Sequence, residues 1–85
     1  MKLFGLFDVK SNTYNTFFTA VNGAVAVRML QDTLNSDPSA PITKFASDYE
    51  LYQLCEVDDV TGEVIPEDDG AELIVKIVDL VPTIN

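Results

Sequence analysis

The chain has 85 residues, 47% of them hydrophobic, and carries a formal net charge of −9. It contains no histidine and a single cysteine, Cys55, which excludes an internal disulfide and an ordinary zinc site. A chain this short buries a smaller fraction of its unfolded surface than a larger domain does, and it is marginally stable without a disulfide or a bound metal. We therefore expect a single domain over residues 1–85 that forms a homodimer or a higher oligomer.

Negative charge is concentrated in the second half of the sequence. Residues 48–85 contain eleven acidic groups and one basic group, whereas residues 1–47 contain three acidic groups and four basic groups. An acidic half repels nucleic acid, and it is either a solvated face or a surface for a basic protein. No segment is typical of a signal peptide, and Lys76 and Asp79 interrupt the longest apolar stretch. We expect a soluble intracellular protein without a membrane partner.

The first twenty residues are predicted to form a β-hairpin. Residues 2–9 have apolar side chains on both faces, which indicates a strand inside a sheet rather than at its edge. Ser11-Asn12 is typical of a turn, because short polar side chains bond their own backbone and tolerate positive φ. Residues 13–20 are rich in threonine and aromatic residues, which favour a returning strand.

A helix of about fourteen residues is predicted over residues 22–35. Asn22 is a good N-cap, and apolar residues then recur at helical spacing on one face. The helix ends near Pro38, because proline disfavours the helical conformation of the residue before it. Residues 37–47 are predicted to be a loop that returns to the sheet.

The second half is predicted to be mainly strands and acidic turns. Residues 48–58 form a strand, residues 58–62 a turn with a left-handed glycine, and residues 63–65 a short return strand. After a second acidic turn, residues 71–81 fit either a strand or an amphipathic helix. The predicted class is α+β, with a small antiparallel sheet of four to five strands and one covering helix, in the order β-β-α-β-β-β.

No group of residues predicts catalysis or a cofactor. The chain lacks a histidine base and a glycine-rich phosphate loop, so we expect no enzyme activity and no cofactor. Acidic residues near positions 58–69 are interpreted as two hairpin turns rather than a calcium loop, because their order does not match an EF-hand. Core packing is the preferred interpretation of most of the aromatic residues, and a stacking platform for single-stranded nucleic acid is the alternative. These aromatic residues are Tyr14, Phe17, Phe18, Tyr49 and Tyr52.

Several short motifs follow one another from residue 1 to about residue 65. In chain order they are Met1-Lys2-Leu3-Phe4, Asp8-Val9-Lys10, Phe17-Phe18, Ala26-Val27-Arg28, Asp37-Pro38, Asp48-Tyr49-Glu50-Leu51 and Asp58-Asp59-Val60-Thr61-Gly62. Their order and spacing resemble the small non-structural protein of gokushovirus-type microviruses, which are phages with single-stranded DNA. Residues 66–85 depart from that pattern as a divergent C-terminal strand and tail.

The resemblance implies a non-enzymatic phage accessory protein in the host bacterial cytoplasm. Its implied role is in the switch from genome replication to single-stranded DNA synthesis and packaging. One hypothesis is that it binds a viral or host replication or packaging protein. The alternative is that it binds single-stranded DNA weakly through its four N-terminal basic residues, Lys2, Lys10, Arg28 and Lys44.

Overall fold

A computed structural model of the chain describes residues 1–81. It contains five strands, one main helix, a one-turn helix and two 3-10 turns. The strands are β1 (Lys2–Asp8), β2 (Thr13–Ala20), β3 (Tyr49–Val57), β4 (Val64–Pro66) and β5 (Glu72–Lys76). The helices are α1 (Gly23–Ser36) and α2 (Pro41–Lys44), and the 3-10 turns are Ala46–Asp48 and Ile77–Leu80. The predicted α+β class and the β-β-α-β-β-β order are confirmed.

All strand pairings in the sheet are antiparallel, and β1 lies between β2 and β3. The other side of β3 is shared by two short strands, with β4 pairing residues 55–57 and β5 pairing residues 50–53. This arrangement leaves β2 at one edge of the sheet and β4 with β5 at the other. The interior position predicted for the first strand from its two apolar faces is thereby confirmed.

The β1–β2 hairpin is closed by the side chain of Asp8. Its carboxylate accepts hydrogen bonds from the Lys10 backbone N–H at 2.9 Å and from the Asn15 side-chain amide at 3.3 Å. The hydrogen bond from Lys10 holds the pKa of Asp8 below its usual value. Asn12 has a φ of 60°, the left-handed conformation that asparagine tolerates, as the turn prediction requires.

Helix α1 begins and ends close to the predicted positions. The Asn22 side chain accepts a hydrogen bond from the Val25 backbone N–H at 3.0 Å, which satisfies one of the free donors of the first turn. Ala26 and Leu30 are the buried residues of the helix. They pack against Phe4 and Leu6 of β1, so the helix covers one face of the sheet.

The segment after α1 contains more structure than the predicted loop. Pro41 is the first residue of α2, where its fixed φ suits a helix and its missing N–H costs nothing. Ile42 then lies buried in the core. The loop prediction for residues 37–47 is therefore wrong from Pro41 onward. A helix of four residues with one buried apolar residue is too short to produce a periodic pattern in the sequence.

The last described segment combines the two conformations that the sequence left open. Residues 72–76 form β5, and the chain then turns into a 3-10 helix at Ile77–Leu80. Ile77 is fully buried, at 0% exposure, and joins the core. Residues 82–85, the end of the tail expected to diverge, lie outside the described residues.

Two glycines occupy the turns on either side of β4. Gly62 and Gly70 have φ values of +78° and +83°, a conformation that costs glycine little. The left-handed glycine predicted to close the turn after β3 is confirmed. No helix among residues 1–81 is both long enough and apolar enough to cross a membrane.

Replacement of Ile77 by alanine tests whether the C-terminal turn is part of the core. We expect Ile77→Ala to lower the free energy of unfolding by about 2–5 kcal/mol, because it removes a fully buried side chain and leaves a cavity. The neighbouring Val78 is 47% exposed, and Val78→Ala should change stability by only about 0.5 kcal/mol. Urea unfolding followed by far-UV circular dichroism measures both, and equal effects would contradict this packing.

Candidate interaction surface

The two faces of the sheet are built differently. One face carries Phe4, Leu6 and Leu51, which are buried beneath α1, α2 and the Ile77 turn. Strand alternation places a second set of side chains on the opposite face, and none of them belongs to the buried core. We call this opposite surface the open face; its aromatic members are Phe7, Tyr14, Phe17 and Tyr52.

Tyr14 is the centre of the aromatic cluster on the open face. Its ring centroid lies 5.1 Å from that of Phe7, 6.0 Å from that of Phe17 and 6.0 Å from that of Tyr52. The contacts with Phe7 and Tyr52 are edge-to-face, with interplanar angles of 67° and 84°. This geometry matches the quadrupoles of the rings and stabilises the cluster by about 0.5–1.5 kcal/mol per pair beyond area burial.

Gly5 lies beneath the aromatic cluster and, because it has no side chain, leaves room for it. A Cβ atom at this position would lie 2.8 Å from Cδ1 of Tyr14 and 3.1 Å from Cδ1 of Leu54. Both side chains thus lie directly over the backbone of β1, and a larger residue would fit there only if they moved. The glycine in the middle of a central strand marks this close approach, which is a usual reason for glycine in a strand interior.

Tyr52 links the cluster to a charged group. Its hydroxyl donates a hydrogen bond to Oε1 of Glu50 at 3.1 Å. Burial and, to a lesser extent, the Glu50 carboxylate raise the pKa of Tyr52 above its ordinary value. Lys76 of β5 lies opposite Glu50 in the strand register, so this basic residue has an acidic neighbour.

Phe17 is the most accessible ring of the cluster. It is 57% exposed, although it lies within a strand. Leu73 of β5, which pairs with Tyr52, is also exposed and extends the apolar surface toward the other edge of the sheet. The open face is therefore an apolar strip that runs across four strands, and its chemistry suits contact with another apolar or aromatic surface rather than a reaction.

The aromatic residues considered in the sequence divide between the two faces. Phe18 and Tyr49 pack in the core, and Phe18 stacks on Phe4 at 5.7 Å. Tyr14, Phe17 and Tyr52 lie on the open face. The sequence interpretation did not include Phe7 in this group, although its position two residues after Gly5 places it on the same face.

The four basic residues predicted to bind nucleic acid lie on separate elements. Lys2 begins β1, while Lys10 lies in the turn beyond its other end, about 26 Å away along an extended strand. Arg28 is exposed on α1, and Lys44 is the last residue of α2. None of the four belongs to the aromatic cluster, and their involvement in binding stays a prediction.

The remaining candidate groups have structural roles. Cys55 is a free thiol that lies buried within β3. Asp58 accepts hydrogen bonds from the backbone N–H groups of Val60 and Thr61 at 2.8 and 3.1 Å, and these bonds lower its pKa. Among residues 1–81, no group of three or more histidine, cysteine, aspartate or glutamate residues is placed to hold a metal ion.

Comparison with known protein families identifies the chain. Residues 1–80 match the family model described as phage ORF5 protein. The chain belongs to this family. The resemblance to a small phage protein is confirmed, and the matched range continues beyond residue 65, where the recognised motifs end. No curated protein and no solved structure matches this phage ORF5 family member.

Substitution of Gly5 tests how the aromatic cluster of this family member is supported. We expect Gly5→Ala to destabilise the protein by about 1–3 kcal/mol, because the added methyl group forces the Tyr14 ring to move. Gly23→Ala is the matched control, since its Cβ would meet Ile74 at an ordinary 3.6 Å and alanine favours the helix. Thermal or urea unfolding checks both variants, and a Gly5→Ala variant as stable as the wild type would contradict the close approach.

Titration of the tyrosines tests the Tyr52–Glu50 contact. Because the pKa of Tyr52 is raised in the folded state, the stability it contributes is present below the unfolded pKa of about 10 and is lost as pH rises above it. Tyr52→Phe should therefore weaken the loss of stability at alkaline pH. Absorbance at the tyrosinate band should show Glu50→Gln lowering the pKa of Tyr52. An unchanged titration curve in Glu50→Gln would refute this contact.

Proposed function

We propose that this phage ORF5 family member is a non-enzymatic accessory protein of a gokushovirus-type microvirus. It binds a viral or host replication or packaging protein in the host bacterial cytoplasm. Through that complex it acts in the switch from genome replication to single-stranded DNA synthesis and packaging. The observation that carries the proposal is the open face, an aromatic surface outside the buried core of a phage protein.

The composition of the open face favours a protein partner. Aromatic side chains such as Phe17 and Tyr14 are enriched at the energetic centres of protein interfaces, because they bury a large area with few rotatable bonds. Exposed apolar patches bordered by polar groups are typical of interaction surfaces. Glu50 places a carboxylate beside Tyr52 of this face, and the chain carries a net charge of −9, so a partner with basic groups around an apolar centre fits best.

Weak binding of single-stranded DNA is the second candidate, and the exposed Phe17 ring favours it. Bases stack on such rings, and each stack contributes about 1–3 kcal/mol. Electrostatics work against it, because the net charge is −9 and the basic residues lie apart. Each phosphate neutralised contributes only about −0.7 to the log–log salt slope for a single strand. DNA binding through this face would therefore be weak, and it would not fall with rising salt as binding through phosphate contacts does.

An affinity experiment with infected host lysate tests the proposal. We expect the immobilised wild-type protein to retain an identified phage or host replication or packaging protein after nuclease treatment. Leu73→Ser should reduce that retention at least tenfold, because it removes an exposed apolar side chain of the open face. Val60→Ser is the control, since Val60 is 89% exposed in the turn after β3, away from the cluster.

A parallel titration with a fluorescent oligonucleotide separates the two candidates. At about 150 mM salt, we expect no saturable binding at micromolar protein concentration. Retention that is unaffected by Leu73→Ser would overturn the assignment of the open face. Nanomolar DNA binding that is lost in Phe17→Ser would favour the alternative, and it would show that stacking outweighs the unfavourable charge.

A further inference from the structure

Strand β2 leaves one edge of the sheet unpaired among the described residues. It pairs with β1 on one side only, so backbone N–H and C=O groups on its other side have no partner strand. Such an edge is a template for another strand unless charges, proline or a covering element protect it. Thr13–Ala20 contains no charged residue and no proline, and it is rich in residues that favour strands.

The opposite edge of the sheet has features that prevent a further strand from pairing with it. It consists of two short strands, β4 and β5, rather than one long strand. Pro66 ends β4, and the turn between the strands contains Glu67, Asp68 and Asp69. Both proline and closely spaced charges prevent the addition of a further strand. The two edges therefore differ, and among residues 1–81 β2 is the edge suited to strand addition.

The regular part of β2 is defined by a bulge. Leu6 pairs with Thr16, but Phe7 pairs with Tyr14, so Asn15 is an extra residue that interrupts the ladder. Residues 16–20 remain as a continuous five-residue segment. When two copies of this segment pair antiparallel in the symmetric register, Phe18 of one copy lies opposite Phe18 of the other. In that register Phe17 of one copy lies opposite Thr19 of the other.

A second copy of the chain offers this edge a matching strand that is equally free of charged residues. Two molecules that each carry a net charge of −9 repel one another across most orientations. The uncharged β2 edge is where two copies can approach at the smallest electrostatic cost. The approach also covers exposed apolar groups, because Phe17 and Val21 both lie exposed in this region. An aromatic residue opposite threonine is a favourable cross-strand pair.

We propose that the protein forms a symmetric dimer in which the β2 strands of two copies pair antiparallel through residues 16–20. The two sheets then become one continuous sheet, and the two open faces lie side by side. The groove lined by Leu6, Leu30 and Ile42 opens beside Asn15 and Thr16, so the second copy also borders it. The dimer does not rest on the proposed function, because it pairs the backbone edge of β2 and involves only Phe17 of the aromatic cluster.

The mass of the protein in solution tests the proposal. Light scattering at micromolar concentration should give twice the 9.3 kDa chain mass. Thr16→Lys should give the monomer mass, since a lysine on the edge blocks pairing, and Thr16 lies on the side of β2 away from the open face. Val64→Lys, an exposed position on the opposite edge, should remain dimeric. A monomeric wild type, or a dimer lost only in Val64→Lys, would overturn the proposal.

Disulfide crosslinking tests the register even if Thr16→Lys fails to fold. An equimolar mixture of Phe17→Cys and Thr19→Cys proteins should form the mixed disulfide under mild oxidation, since directly opposite residues have Cα atoms about 4.5–5.5 Å apart. Val60→Cys serves as the control for random collision, and the native Cys55 is buried. Crosslinking of the mixture at the rate of the Val60→Cys control would rule out strand pairing at β2.

Discussion

One helix has to stabilise a sheet with two faces, and this constraint shapes the whole molecule. Helix α1 has fourteen residues and, with α2 and the Ile77 turn, covers the face that carries Phe4 and Leu51. No second helix of that length exists among residues 1–81 to cover the other face. That face is stabilised instead by contacts among its own side chains. The aromatic cluster over Gly5 is therefore a part of the fold and also a surface for contact.

The sequence was sufficient wherever a local interaction or a clear period determined the structure. The Asn22 cap, the period of α1, and the turns at Asn12 and Gly62 all depend on neighbouring residues, and each was predictable. The order of elements along the chain, the α+β class and the interior position of β1 followed from residue alternation and from the two apolar faces of β1. The short helix α2 and the turn at Ile77 are held in place by core contacts with residues far away in the sequence. A single sequence does not show which distant residues are in contact, so these two elements could not be derived from it.

The candidate site was predictable only in part, for a related reason. Alternation assigns Tyr14 and Tyr52 each to a face of its own strand, but it does not show which face the helix covers. That choice depends on how α1 crosses back over the sheet, and it separates Phe18 from its neighbour Phe17. Basic residues were chosen because of their charge alone. The fold distributes them over separate elements, so their count was a poor guide to a binding patch.

In this phage ORF5 family member, acidic residues stabilise turns, whereas the apolar surface is available for contact with a partner. Asp8 and Asp58 accept backbone hydrogen bonds within a turn, and these bonds lower their pKa values. The pKa of Asp37 is lowered first by the hydrogen bond from the Ser39 hydroxyl and then by the one from the Ser39 backbone N–H. The ionised forms of these three aspartates hold turns together, and this contribution is lost only as pH falls through the lowered pKa values. Acidic residues thus shape the ends of the sheet and limit which charged partners can approach. Affinity has to come from the apolar strip and the unpaired strand, where burial of Phe17 is favourable at any ionic strength.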